Sequence, residues 1–311
     1  MTTGHRYYRK GYNLPQNVKF CTKCVNSNQR PRITFDENGV CSACNYADFK
    51  NNQIDWDQRK KELEQLCEKH RKKDGSFDCI VPSSGGKDSG LVAHMLKNQF
   101  GMNPLTVTWA PHLYTEIGFQ NHQNHIHVGD LANILITPPG LVHRKLTKLA
   151  FENLGEPFLP FIFGQNNMPM QVAEKYKIPL IFYGENSEVE YGGSMVDAYT
   201  PQKDWHSSIG KIFSGMPPEK FLELGITKND LTPYLAPPKN ILQEMGLEVH
   251  YFGYYHKWIP QECYYYCVEN TGFKANSVRS EGTYSKYASL DDKLDGFHYY
   301  LMFIKFGFGR A

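Results

Sequence analysis

The sequence predicts an α/β protein, with a parallel sheet covered by helices, a small cysteine-rich module before it and an aromatic-rich C-terminal region after it. Three observations carry this. Short apolar runs of strand length alternate with helical segments from Phe77 to Tyr183. Two CxxC pairs, Cys21/Cys24 and Cys41/Cys44, stand within the first fifty residues. Residues 251–311, a fifth of the chain, hold 17 of its 43 aromatic residues.

The 311 residues suffice for one large unit with an appended module, or for two units. With 34 Lys+Arg against 32 Asp+Glu the net charge is +2, too balanced for binding a polyanion by bulk electrostatics, so nucleic acid is a disfavoured partner. A 41% hydrophobic and 21% charged composition excludes a disordered chain. No apolar run has the length of a membrane span. Met1–Lys10 carries His5, Arg6, Arg9 and Lys10 with no apolar stretch behind them, which is not a secretory signal, and the expectation is a cytoplasmic protein with no membrane partner.

Residues 1–53 are polar and lack a helical period, so their core is too thin to fold unaided and a metal would supply the missing stability. Sixteen residues separate the CxxC pairs. In a cytoplasmic protein this spacing means metal before disulfide, and four thiolates suit a closed, structural zinc site, although an iron–sulfur cluster uses the same ligands. Cys263 and Cys267, spaced i, i+4 in an aromatic run, read as core residues. Residues 54–75 read as a linking surface helix, with Leu63, Leu66 and Cys67 on its apolar side and a basic C-terminal end.

Residues 76–240 form the predicted sheet domain. Phe77–Pro82 and Leu105–Trp109 read as strands around a helix from Asp88 to Phe100, making a βαβ unit. Further strands are expected at Ala132–Ile136 and Pro179–Tyr183, with helices at about 141–154 and 168–176. After Tyr191 the pattern loosens, and residues 241–311 read as a substrate or partner region. No internal repeat occurs.

Between the first strand and its helix lies Ser83-Ser84-Gly85-Gly86-Lys87-Asp88-Ser89. Its glycines let backbone N–H groups approach an anion, and the following helix N-terminus adds a positive dipole, so phosphate is the natural guest. The spacing is not that of GxxxxGK[ST], and a carboxylate follows the lysine, so Asp88 would hold Mg²⁺ or cap the helix. Glu185, at another strand's carboxyl end, is placed to bind metal or orient substrate. Asp291-Asp292 reads as a helix cap.

The run SGGKDS after a strand resembles the PP-loop of the ATP pyrophosphatases, which cleave ATP between its α and β phosphates. The resemblance implies an adenine-nucleotide hydrolase-like fold, with Ser84, Gly85, Gly86, Lys87, Asp88 and Ser89 cradling pyrophosphate and Trp109 beside the adenosine. The loop alone does not choose among the superfamily's ligase and tRNA-thiolating chemistries. Gly184-Glu185-Asn186, Glu190-Tyr191-Gly192-Gly193, His256-Lys257-Trp258, Glu269–Phe273, Gly282–Tyr287, Asp291-Asp292-Lys293 and Ile304–Arg310 together resemble the N-acetyl sugar amidotransferases, from the cysteine module to the chain's end. That resemblance implies a role in bacterial surface-polysaccharide and nonulosonic-acid biosynthesis: with Mg²⁺ and ATP, the acetamido oxygen of a nucleotide-linked N-acetyl sugar is adenylated, and ammonia then replaces it to leave an acetamidino group. Lys87, Asp88 and Glu185 would be catalytic, while Asn186, Tyr191, Lys257, Trp258, Lys286 and Arg310 would meet the sugar nucleotide. None of the eight cysteines has a glutaminase context, so ammonia would come from a separate glutaminase subunit with a cyclase-like partner. Chains of the family continue beyond the Gly-Arg-Ala element, whereas this one ends at Ala311, which suggests truncation. The runner-up, a PP-loop tRNA-thiolating enzyme with a zinc module, is disfavoured by the net charge and by the lack of any cysteine between residues 90 and 262.

Overall fold

The computed structural model describes residues 14–196, 198–205 and 216–307. Its centre is a five-stranded, wholly parallel sheet of order β3-β2-β1-β4-β5, formed by β1 (Cys79–Pro82), β2 (Pro104–Trp109), β3 (Ala132–Ile136), β4 (Leu180–Tyr183) and β5 (Glu248–Tyr251). The register runs through Ile80, which faces Leu105 on one side and Ile181 on the other. Alternate residues of β1 supply two cores: Ile80 packs with β2 and one helical layer, Cys79 and Val81 with the other. The fold class is thus α/β with both sheet faces covered, as the alternating pattern predicts.

Among the described residues the α-helices are α1 (Ser42–Asn52), α2 (Trp56–His70), α3 (Lys87–Asn98), α4 (Glu116–His127), α5 (Gly140–Leu154), α6 (Leu159–Tyr176), α7 (Ser187–Tyr191), α8 (Lys228–Leu231), α9 (Lys239–Glu244), α10 (Phe252–Tyr255), α11 (Pro260–Asn270) and α12 (Asp295–Phe306). Asp55 caps α2 by accepting from the Gln58 N–H at 3.0 Å, and Leu63 and Cys67 are its buried residues. Beneath α11, Gly90 of α3 leaves room for the Cys267 sulfur, which a Cβ there would meet at 3.1 Å. Cys263 and Cys267 are both core residues.

Three elements depart from the sequence expectation. Helix α4 was not legible, because the face it buries consists of Gly118, Asn121, His122 and His125 rather than apolar residues. Helix α6 starts nine residues before Met168; Pro160 sits in its first turn, where a missing N–H costs nothing, and Pro169 is accommodated inside it. Strand β5 is four residues long, too short for a period, and it comes from beyond residue 240 to complete the sheet beside β4. Much of the C-terminal aromatic density is accordingly core: Phe252, Tyr255 and Trp258 are buried with α2 and α3.

The N-terminal module docks on the segment that follows β4. Ile33 lies against Gly192, where a Cβ would come within 2.9 Å, Arg30 donates to the Gly192 carbonyl, and Arg32 pairs with Glu188. Tyr46 of α1 packs with Val189 and Ala198, and Lys50 bridges Glu190 and the Trp258 carbonyl, the latter at 2.9 Å. Among the described residues no helix is long and apolar enough to cross a membrane.

Candidate active site

The loop between β1 and α3 lies where strand order reverses, β1 leading outward to β2 on one side and to β4 on the other. In open parallel sheets such a switch point forms a crevice at the strands' carboxyl ends. Gly85 adopts φ +88°, and a Cβ there would stand 2.5 Å from the His122 Cα, so the loop's close approach to α4 requires glycine. Ser83 holds the loop from below: its hydroxyl accepts from the Gly85 N–H at 3.1 Å and lies 2.9 Å from the Ser89 hydroxyl and 3.2 Å from His125 Nε2. Burial pushes His125 down to about 3, so the ring is neutral at pH 7.

Lys87 is buried and donates to both oxygens of Asp88, at 2.7 and 2.6 Å. Burial works against its charge, but the adjacent Asp88 carboxylate outweighs this and holds its pKa above the ordinary value. Across the loop, burial and then the Asp88 charge push Glu185 up to about 7. Two carboxyl groups that repel one another across this loop form an arrangement that a divalent cation would relieve.

The loop opens on two cavities. The larger, about 460 Å³, lies over the ends of β1, β2, β4 and β5, and Ser84, Gly86, Asp88, Ser89, Trp109, Glu185 and Asn186 all line it. Asn186 also caps α7, accepting from the Glu188 N–H at 3.2 Å. Gly164 allows α6 to lie on the Trp109 ring, which a Cβ there would strike at 2.1 Å. Gly85 and Lys87 face the smaller cavity of about 300 Å³, whose opposite wall comes from residues 273–299.

The structure therefore brings the loop, Trp109, Glu185 and Asn186 together, but not the more distal expected contacts. Trp258 is buried, its ring against Gly184, and is a core residue. Lys286 is exposed and donates to the Ser277 carbonyl at 2.9 Å, and neither it nor Lys257 lines either cavity. Tyr191 stands behind Glu185 on α7, its pKa raised first by burial and then by the Glu185 and Asp88 charges, and it too is absent from the cavity walls. Arg310 lies outside the described residues. Sequence reasoning missed Phe161, Gln165 and Asn166 on α6, because the first half of that helix was not legible. It also misread Asp291-Asp292: α12 begins without a side-chain cap, and Asp292 instead accepts from the His112 side chain at 3.0 Å and from the Leu294 N–H at 2.9 Å.

The second candidate centre is the cysteine quartet. The four sulfurs lie within 4.8 Å of one another, with Cys24–Cys41 at 3.5 Å and Cys21–Cys44 at 4.0 Å. Four thiolates on a tetrahedral zinc ion would stand about 3.8 Å apart, given the usual Zn–S length. Disulfides require about 2.05 Å, and none forms. Burial raises the Cys21 thiol, but backbone N–H groups, including those of Lys23 at 3.3 Å and Cys41 at 3.2 Å, outweigh it and bring the group down to about 6. The donor set fits a structural zinc site and leaves no fifth ligand for chemistry.

No protein-family model matches the chain. A curated relative, an uncharacterized protein of Methanocaldococcus jannaschii, is 32% identical over 88 residues, 28% of this chain and 31% of that protein, so the match spans under a third of the relative's length. Among solved structures, NMN synthetase from Francisella tularensis overlaps with a TM-score of 0.33 at 13% identity, over 66% of this chain and 94% of that one. The NH3-dependent NAD synthetase of Campylobacter jejuni gives 0.32 at 15%, over 62% and 95%. A predicted subunit of a tRNA methyltransferase from Methanocaldococcus jannaschii gives 0.29 at 19%, over 54% and 74%. The class is defined by the chain's own topology: a parallel α/β protein with a glycine-bearing loop at the switch point of its sheet and an N-terminal four-cysteine cluster.

Proposed function

We propose that this protein is an ATP-dependent, AMP-forming amidotransferase that acts on the acetamido group of a nucleotide-linked N-acetyl sugar. The observation that carries the reading is the loop itself: a turn that only glycine can make at Gly85, with Lys87 and Asp88 at the head of α3, opening on two cavities at once. Two reactants that must meet at one phosphate need that arrangement, and the tail motifs supply the sugar class.

An acetamide does not exchange its oxygen with ammonia at neutral pH, because that oxygen is a poor leaving group. The acetamido oxygen attacks the α-phosphorus, the bond to the bridging oxygen breaks, and pyrophosphate leaves. Ammonia then adds to the activated carbon, and AMP departs with the former acetamide oxygen; the product is an amidine with NH in place of O, which takes up a proton at neutral pH to become the amidinium. The loop N–H groups and Lys87 hold the charge that builds on pyrophosphate, Asp88 and Glu185 are the carboxylates that would hold Mg²⁺, and Trp109 flanks the adenosine. Mg²⁺ supplies charge neutralisation on the departing phosphates. Ammonia comes from a separate glutaminase subunit, assembled with a cyclase-like subunit.

The test is incubation with Mg-ATP, an ammonium salt and a panel of UDP- and CMP-linked acetamido sugars, with product masses and nucleotides measured. Stoichiometric AMP and pyrophosphate, and a sugar product lighter by about one mass unit with one added positive charge, are expected. Formation of ADP and orthophosphate would overturn the loop assignment, and sulfur entering tRNA would replace the sugar reading.

A further inference from the structure

Only one of the two cavities lies where the sheet places a nucleotide. The larger has strand ends in its floor, at Pro82, Val107, Trp109, Tyr183 and Tyr251, which is the crevice that parallel sheets offer to nucleotides. The smaller has none. It is bounded by the loop, by the starts of α4 and α6, and by residues 273–299, and it joins the larger at Ser84, Gly86, Asp88, Phe161 and Gln165.

Its outer wall is built rather than draped. Gly118 approaches the Asp291 backbone so closely that a Cβ would sit 2.4 Å from the Asp291 Cα. The Asp291 carbonyl accepts from the Thr115 N–H at 3.2 Å, the Leu290 carbonyl accepts from the Thr115 hydroxyl, and the Lys293 N–H donates to the Leu113 carbonyl at 2.9 Å. With its backbone held in this way, Asp291 lines the cavity together with Ser84, and among the described residues no lysine or arginine forms an ion pair with it. Phe158, Phe273, Tyr287 and Tyr299 surround it with aromatic rings. Lys87, which lines the same cavity, already has both Asp88 oxygens as acceptors.

Resting on the functional reading above, we infer that this smaller cavity is the acceptor compartment: it holds the acetamido-pyranose ring, with Asp291 accepting from ring hydroxyls, while the larger cavity holds ATP. Aromatic faces suit the apolar C–H face of a pyranose, and a carboxylate without a cation partner accepts from hydroxyls but repels phosphate. A sugar seated there presents its acetamido group at Ser84 and Asp88, where the two cavities join and the α-phosphate arrives from the other side. The compartment also accounts for substrate recognition without Lys257, Trp258 or Lys286, which lie elsewhere.

The experiment is equilibrium binding of UDP-N-acetylglucosamine and of α,β-methylene-ATP, measured separately on the wild-type chain and on Asp291→Asn, Tyr287→Leu and Trp109→Phe, with thermal melts confirming that each is folded. The inference expects Asp291→Asn and Tyr287→Leu to weaken the sugar nucleotide by about ten-fold or more and to leave α,β-methylene-ATP unaffected, and Trp109→Phe to do the reverse. Sugar binding lost with Trp109→Phe but retained in the other two would overturn the compartment while the amidotransferase reading stood. Equal loss of both ligands in Asp291→Asn and Tyr287→Leu would make the wall merely structural and also overturn it. A wild-type chain that binds α,β-methylene-ATP but none of a panel of UDP- and CMP-linked acetamido sugars would overturn both.

Discussion

At the scale of single residues the loop makes the sharpest demands. Gly85→Ala places a methyl 2.5 Å from the His122 Cα at a φ of +88°, so the strained backbone alone should cost about 1–3 kcal/mol, and the displaced loop should abolish AMP formation. Urea denaturation and an AMP assay check the two parts separately. Lys87→Ala should lower AMP formation by orders of magnitude and leave the fold intact, because its work is on charge that appears only with bound nucleotide. His125, against Ser83 under the loop, carries a pH signature. Its pKa is depressed to about 3 by burial, so between pH 6.5 and 3 the unfolded chain binds a proton that the folded chain refuses. Stability should therefore fall as pH falls through that window, by about 2 kcal/mol per such histidine on going from pH 7 to 5. Denaturant midpoints at the two pH values, flattened in a folded His125→Gln variant, check this.

Among elements, the cysteine module and α7 are the pair whose coupling matters. No described residue of the module lines either cavity at the loop, but Arg32 holds Glu188 and Ile33 packs on Gly192, and Glu188 lines the larger cavity. Four thiolates should bind one zinc ion per chain, which elemental analysis checks; iron in its place would identify a cluster. Stripping the metal, or Cys24→Ser, should melt the module, loosen this wall and weaken α,β-methylene-ATP binding while far-ultraviolet circular dichroism retains the sheet domain's signal. If nucleotide binding is unchanged in the stripped protein, the module does not support the site.

For the whole molecule, helix α12 is tied to the rest of the fold through a buried charge cluster. Lys305 Nζ lies 2.8 Å from one Glu156 oxygen and His298 Nδ1 lies 2.9 Å from the other, all within the fold. Burial opposes the Glu156 charge, but His298 and Lys305 outweigh it and hold its pKa below the ordinary value. This contribution to stability is present above the unfolded carboxyl pKa and is lost as pH falls through the folded one. Lys305→Met leaves the buried carboxylate with His298 as its one remaining partner among the described residues, which should cost up to about 3–5 kcal/mol in a denaturant melt. Because Asp295, His298 and Tyr299 on the same helix line the smaller cavity, sugar binding should weaken with it.

The sequence by itself determined the parallel α/β class, the loop between first strand and helix, and the four-cysteine cluster, because each is written in local spacing: strand-length apolar runs, SGGKDS between strand and helix, and CxxC repeated after sixteen residues. Glu185 was legible from its place at a strand's carboxyl end, and Trp109 and Asn186 only through the family resemblance; all three line one crevice. Only the tertiary structure decided which distal side chains reach that crevice. Trp258 read as a ligand contact and proved to be core, because aromatic density does not say which ring is covered. Asp291 read as a cap and proved to be a cavity wall, because its position depends on Gly118 and Thr115 more than 170 residues away. Helix α4, whose buried face is glycine, asparagine and histidine, carries no apolar period, so the element that forces Gly85 to be glycine was invisible until the chain was folded.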